Sequence, residues 1–189
     1  WQTEPIKAVD FFQFNEQRYE QAAADRNRAE DIVKFLYPND SRREGKQMRI
    51  KQQYVLVSAS LQDMIRSYKE RHGDDYAWFV KEHAVQLNDT HPVMAIPELI
   101  RLLSKEGVGF EDALAICRGT FSYTNHTVMA EALEKWPVEM MKDILPRIFM
   151  ILEELNRRVC ERLFISYPDQ WERIGHMAII GYGYVHMAN

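Results

Sequence analysis

The sequence predicts an α/β fold that is predominantly helical. Two observations carry that prediction. First, a short apolar run, Val85-Gln86-Leu87, reads as a buried strand and is followed at once by four polar residues, Asn88, Asp89, Thr90 and His91. Second, the arrangement recurs: Phe121-Ser122-Tyr123 is followed by Thr124, Asn125, His126 and Thr127. Two helix-like stretches, near Ile96–Lys105 and Phe110–Arg118, separate the strands. A crossover of that length predicts a parallel pair, which sets both polar clusters at one sheet edge, where open α/β sheets present their sites. Asp89, His91 and His126 then surround one crevice.

In chain order, residues 1–16 show no sustained period, and Phe11, Phe12 and Phe14 are expected to pin a loop to the core. Apolar residues recur at three and four from Tyr19 to Tyr37, which predicts a helix. Pro38-Asn39-Asp40-Ser41 breaks it, and SRREG, closing at Gly45, reads as an exposed charged loop, either a solvated turn or a lid. Residues 46–71 form a long segment. Its YVLVSAS stretch has the β-branching of a strand, yet Met48, Val55, Leu61, Met64, Ile65 and Tyr68 share a helical face, and the segment is assigned as helix. Residues 71–82 are a connection with aromatic anchors. Pro92 ends regular structure after the first polar cluster, and Pro97 suits the first turn of a helix. Val128 to Lys135, rich in Ala, Leu and Glu, is predicted as a helix, and Trp136-Pro137 as the start of another reaching Ile144. Pro146 divides that helix from a strongly amphipathic one over Arg147–Leu163. Tyr167-Pro168-Asp169 ends it, and a short helix from Gln170 comes next.

The 189 residues suit one large domain or part of a larger protein. Net charge is −4 with scattered Lys and Arg, which is no nucleic-acid footprint. No apolar run approaches the roughly 20 residues of a membrane span. The two cysteines, Cys117 and Cys160, lie on apolar helix faces and read as core thiols in a reducing cytosol. The chain starts at Trp1 and stops at Asn189 inside the apolar stretch MAIIGYGYVHMAN, which reads as a piece of a longer protein.

Six histidines invite a metal reading, but neither HxxxH nor HExxH occurs, and Asp89-x-His91 alone is a weak ligand pattern. Taken singly, an Asp-x-His pair in a turn is a carboxylate orienting an imidazole; two such clusters at one sheet edge favour a site. Asn39-Asp40-Ser41, Asn88-Asp89-Thr90 and Asn125-His126-Thr127 each gather an amide, a carboxylate or imidazole, and a hydroxyl, groups that pair with the vicinal hydroxyls of a sugar. No Gly-rich phosphate loop, Ser-His-Asp order or Lys suited to a Schiff base is recognisable.

Three long stretches, LYPNDSRREGKQMRIKQQY, QLNDTHPVMAIPEL and YTNHTVMAEALEKWP, with DRNRAE at 25–30, closely resemble the glycogen/starch (α-glucan) phosphorylases. The resemblance runs in order over nearly all of the chain. It implies one fragment, residues 1–189, of the N-terminal, Rossmann-like domain of a two-domain GT-B glycosyltransferase fold. The implied function is phosphorolysis of α-1,4-glucan by inorganic phosphate to α-glucose 1-phosphate, with retention. The implied cofactor is pyridoxal phosphate, bound by a C-terminal domain absent from this chain, so the fragment alone is expected to be inactive. A cytoplasmic homodimer is implied for the parent.

By the same resemblance, His126, Asp89 and His91 are the catalytic-site residues: His126 contacts the donor glucose O6, and Asp89 and His91 line the glucan side. Arg49, Thr127, Glu131 and Glu134 match a side pocket, and Asn39, Asp40 and Ser41 a gate loop. Ser41 stands where many animal members have Asn, Arg42-Arg43 where they have an aromatic pair, Arg66-Ser67 where they have two Arg, and Ala130 where Pro is frequent. This set is bacterial or plant-like and implies neither a purine-stacking site nor nucleotide activation. Two other readings remain: a non-catalytic carbohydrate-binding or regulatory helical module, and a metal hydrolase on Asp89, His91 and His126, which would require stoichiometric metal.

Overall fold

The computed structural model describes residues 3–188; Trp1, Gln2 and Asn189 lie outside them. The chain divides into two compact units, residues 1–56 and 57–189. The architecture is mostly helical, with two small sheets.

The first unit holds α1 (Phe11–Asn15), α2 (Tyr19–Ala22), α3 (Ala24–Lys34) and the opening of α4 (Arg43–His72). Asp10 caps α1, its carboxylate accepting the Phe12 and Gln13 backbone N–H groups at 3.1 and 3.2 Å. That cap makes a helix where the sequence pattern predicts a loop. The expected anchoring of Phe11, Phe12 and Phe14 does not occur, for they are 76%, 67% and 50% exposed. The helix expected over 19–37 is split at Ala23 and stops at Lys34, because Phe35 turns to extended backbone. Phe35 does not leave its carbonyl unpaired: Gln52 Nε2 on α4 donates to it at 2.6 Å. Arg43, Glu44 and Gly45 are not loop but the first turn of α4.

The long segment is helical as expected, despite its β-branched stretch. In the second unit α4 buries Val57, Leu61, Ile65 and Tyr68, positions spaced by three and four. A single-turn 3-10 helix, Tyr76–Trp78, and α5 (Phe79–Glu82) come next. Here the aromatic anchors hold: Tyr76 and Phe79 are buried, and Phe79 packs edge-on to Tyr68 at 5.1 Å.

The centre of this unit is β1 (Val85–Asn88), α6 (Ala95–Lys105), α7 (Phe110–Thr120) and β2 (Phe121–Thr124). The two strands pair in parallel, in the register Val85 with Phe121 through Asn88 with Thr124. α6 contacts α7 and the later helix over Pro146–Ser166 and buries Leu99, Ile100, Leu102 and Leu103. It ends where Gly107 takes φ +89°, letting the Val108 N–H return to the Leu103 carbonyl at 3.0 Å. Glu98 on α6 is fully buried, accepting from Ser58 Oγ at 2.6 Å and from Arg101 Nε and Nη2 at 2.7 and 2.8 Å.

The predicted helix over 128–135 is absent. Only a 3-10 turn forms, at Ala130–Ala132, and Lys135–Pro137 is a strand, β3. Side chains take the backbone groups a helix would need: Asn125 Nδ2 donates to the Thr127 carbonyl at 2.6 Å, and the Met129 N–H donates to Thr127 Oγ1 at 3.1 Å. Trp136 is buried within β3 rather than opening the next helix, which is α8 (Val138–Ile144). α9 (Pro146–Ser166) begins at its Pro as expected, and α10 (Trp171–Met177) comes after it.

The apolar stretch beyond α10 forms β4 (Ile180–Gly181) and β5 (Tyr184–His186), joined by Tyr182 and Gly183 at φ +52° and +80°. Both positive angles suit a two-residue hairpin. β5 pairs antiparallel with β3 on one side and β4 on the other. Cys117 is buried and its thiol pushed up to about 12 by that burial, whereas Cys160 is half-buried; both are free thiols.

Candidate functional site

The parallel register fixes where the chain goes beyond each strand. Asn88 and Thr124 are paired, so the chain leaves β1 and β2 at the same level and in the same direction. The two polar clusters therefore meet at one end of the sheet, as the spacing predicts. The Asp89 N–H donates to the Thr124 carbonyl at 2.9 Å, extending the ladder by one bond. The His126 N–H reaches Asp89 Oδ1 at 3.4 Å. The His126 ring lies against the other strand, its Nε2 2.6 Å from Asn88 Oδ1.

Asp89 has φ +62°. Left-handed backbone is disfavoured for most side chains, and Asp is among the few non-Gly residues that visit it. Here it turns the chain sharply off the strand. Thr90 comes next and is buried, with its Oγ1 donating to Glu134 Oε2 at 3.1 Å. His91 is half-buried, in the turn that leads into α6. Gln86 and Thr124 join side chains across the two strands.

After β2 the loop is held by its own side chains. The Asn125 amide bonds both the carbonyl and the N–H of Thr127, the latter at 3.2 Å. This frame leaves Val128 fully exposed and Met129 more than half exposed. Glu131 is exposed on the 3-10 turn, and Glu134 lies just beyond it with its backbone carbonyl accepting the Met187 N–H at 3.0 Å.

The remaining candidates, Asn39, Asp40, Ser41 and Arg49, belong to the first unit. Asn39 Oδ1 accepts the Ser41 N–H at 2.9 Å, an Asx turn. Asp40 Oδ2 pairs with Arg49 Nη1 on α4 at 3.0 Å. The loop lies so close to α4 that a Cβ on Gly45 would stand 1.9 Å from the Asn39 carbonyl oxygen.

Asp89 and His126 thus come together as expected, and Thr90 and Glu134 form a second pair beside them. Sequence reasoning gives no individual role to Asn88 and does not anticipate the Thr90–Glu134 bond. The strand register is the signal available for the first; the second depends on a sheet that the sequence pattern does not reveal. Among the described residues, no group of three or more His, Cys, Asp or Glu is placed to hold a metal ion, so Asp89, His91 and His126 form no metal centre. No described helix is long and apolar enough to cross a membrane.

The chemistry available here is that of hydrogen bonding: carboxylates, imidazoles, amides and hydroxyls, set at the end of a short parallel sheet. Comparison with known proteins agrees with that character. The family model described as carbohydrate phosphorylase matches residues 1–189. The glycogen phosphorylase of Bacillus subtilis (strain 168) is 47% identical over 161 residues, covering 85% of this chain and 20% of that protein. The H isozyme of α-glucan phosphorylase from Triticum aestivum is 48% identical over 180 residues, 92% of this chain and 22% of that protein. The muscle form of glycogen phosphorylase from Bos taurus is 41% identical over 197 aligned positions, 100% of this chain and 23% of that protein. The chain spans about a fifth of the length of these relatives, and by the match over its whole length it belongs to the carbohydrate phosphorylase family.

Proposed function

We propose that this chain is part of the N-terminal, Rossmann-like domain of a GT-B retaining α-glucan phosphorylase. The parent protein cleaves the terminal α-1,4 bond of a glucan such as glycogen, starch or maltodextrin. The glucosyl C1–O4 bond breaks, C1 bonds to an oxygen of inorganic phosphate, and the shortened glucan keeps O4 with a proton. The product is α-glucose 1-phosphate. The observation that carries this reading is the meeting of Asp89 and His126 at one end of the parallel pair, in a chain whose relatives are named for glycogen and α-glucan phosphorolysis.

His126 holds the donor glucose through its ring. By the family resemblance its backbone carbonyl faces the reacting ring, and preplaced dipoles act where transition-state charge develops. Asp89 and His91 line the glucan side. By resemblance to the family, Thr127, Glu131 and Glu134 in the second unit and Arg49 in the first match side-pocket positions, and Asn39, Asp40 and Ser41 match a gate loop. Within the first unit the Asp40–Arg49 pair and the Asn39 turn give that gate a defined shape.

The cofactor of this reading is pyridoxal phosphate, whose phosphate supplies proton relay when bound. Three lysines have surroundings unsuited to a Schiff base: Lys69 pairs with Glu106 and Asp74, which raise its pKa, and Lys81 and Lys135 lie over the rings of Trp78 and Tyr184. A Schiff-base lysine needs the opposite shift. By the family resemblance the cofactor belongs to the rest of the parent, a cytoplasmic homodimer whose partners are glucan and phosphate.

The test is His126→Ala in the full-length parent. It keeps the carbonyl and removes the ring contact. A charge-assisted hydrogen bond is worth roughly 1.5–3 kcal/mol, so kcat should fall about ten- to a hundredfold with a smaller rise in KM for the glucan. Asp89→Ala should weigh on KM instead. A kcat within about twofold of the parent for His126→Ala, below ~0.5 kcal/mol, would make His126 a structural histidine and remove the donor-site assignment.

A further inference from the structure

Asn88 ends β1 opposite Thr124, and its side-chain oxygen lies 2.6 Å from His126 Nε2. An amide oxygen only accepts hydrogen bonds, so the hydrogen of that bond belongs to Nε2. A neutral imidazole carries one hydrogen, and the partner of one ring nitrogen decides the state of the other. With Nε2–H committed to Asn88, Nδ1 is left with a lone pair. The backbone that carries the ring is tied to the other strand, because the His126 N–H reaches Asp89 Oδ1 at 3.4 Å and the Asp89 N–H donates to the Thr124 carbonyl at 2.9 Å.

We propose that Asn88 is a positioning residue that fixes the Nε2–H tautomer of His126, so that His126 recognises its ligand by accepting a hydrogen bond at Nδ1. The group so recognised must own a hydrogen to donate. A sugar hydroxyl does, so the expected partner of Nδ1 is a hydroxyl of the donor sugar acting as hydrogen-bond donor. This rests on the proposed function for the identity of the sugar, but the tautomer itself does not.

The test has two arms. In the first, the 189-residue chain is labelled with isotopically enriched histidine, and nitrogen NMR is recorded near pH 8, where an ordinary histidine of pKa ~6.5 is neutral. The His126 signals are assigned by their loss in His126→Gln. The expected spectrum shows one tautomer, Nε2–H. Asn88→Asp retains an acceptor and should keep it; Asn88→Ala should give averaged shifts with a detectable Nδ1–H share. An Nδ1–H ring in the unaltered chain, or shifts that ignore Asn88→Ala, overturns the inference. In the second arm, kcat and KM are measured in the full-length parent. Asn88→Ala is expected to lower kcat about tenfold, as one mis-set hydrogen bond does, and Asn88→Asp to restore most of it. The expected tautomer with kcat untouched in both Asn88→Ala and His126→Ala sinks the donor-site reading while leaving the Asn88–His126 geometry standing. The expected tautomer with kcat lost only in His126→Ala overturns Asn88 as a positioning residue.

Discussion

Gly45→Ala sets two effects against each other. Gly45 is the third residue of α4, and replacing Gly by Ala inside a helix gains up to about 1 kcal/mol. Near the N-terminus the gain is smaller. Against it stands the space around the new Cβ: 1.9 Å to the Asn39 carbonyl oxygen, 2.9 Å to its carbonyl carbon and 3.0 Å to Asp40 Cα. All three are backbone atoms, so no side-chain rotation relieves the contact. The loop must retreat by about 1 Å, the sort of overpacking that costs roughly 1–3 kcal/mol. The clash wins, by ~1–2 kcal/mol. The retreat also strains the Asp40–Arg49 pair at 3.0 Å and the Ser41 turn. Hydrogen exchange read by mass spectrometry is the assay. The peptide covering residues 35–42 should exchange about 5–30-fold faster in the variant, with peptides of the second unit unchanged. In the parent, a 1 Å error in positioned groups should cost about a hundredfold in rate. Slower exchange over residues 35–42 would show that helix propensity prevailed and that the loop tolerates displacement; unchanged exchange would refute the reasoning equally.

Two further outcomes rest on charge. Arg101→Leu removes the two bonds that the guanidinium donates to the fully buried Glu98 carboxylate and should destabilise the chain by about 3 kcal/mol, read as a lower denaturation midpoint at unchanged slope; a loss under ~1 kcal/mol would count against a buried ion pair here. Glu154 is held at about 2, from its ordinary 4.5, by hydrogen bonds from Arg157 and then Arg158. A lowered folded pKa means the contribution is present above 4.5 and is lost as pH falls toward 2. Acid titration of helicity should therefore differ between the unaltered chain and Glu154→Gln above pH 4.5, with the two converging near pH 2; a constant offset down to pH 2 would oppose it.

The parts legible in the sequence are those fixed by periodicity and by Pro. The β1–α6–α7–β2 crossover arises from two apolar runs separated by enough helical sequence to force a parallel return, and Asp89 and His126 meet for that reason. Pro97 and Pro146 mark helix starts through a local rule that tertiary contacts did not override. The failures share a cause. Val128–Lys135 has helical composition, but the Asn125 and Thr127 side chains claim its first backbone groups and the β5 edge claims Lys135–Pro137. Propensity lost to partners that a single-sequence pattern does not reveal. The three Phe of α1 failed in the other direction, since aromatic content predicts burial only where a helix face has something to pack against. Asn88 was visible but not its role, because an amide within a polar row gains meaning only from the register that places it beside His126.

Asp89 brings the backbone and chemical arguments together. Its φ of +62° belongs to a conformation that Gly adopts at no steric cost and that Asp and Asn tolerate. Gly would make the turn off β1 as well, and would still donate its N–H to the Thr124 carbonyl. It would not supply Oδ1, the atom that receives the His126 N–H. Asn would meet both demands, since it tolerates the conformation and carries a side-chain oxygen. The residue type at this position is therefore restricted twice, once by the turn and once by the neighbouring strand's loop, and the intersection is Asp or Asn. Disfavoured conformations persist where surrounding bonds over-determine them, and they concentrate at working sites. Here the over-determination comes from β2 and the loop beyond it. The residue that makes the turn also supplies the oxygen that receives the His126 N–H, so the backbone position of His126 is tied to a backbone choice made at the end of the other strand.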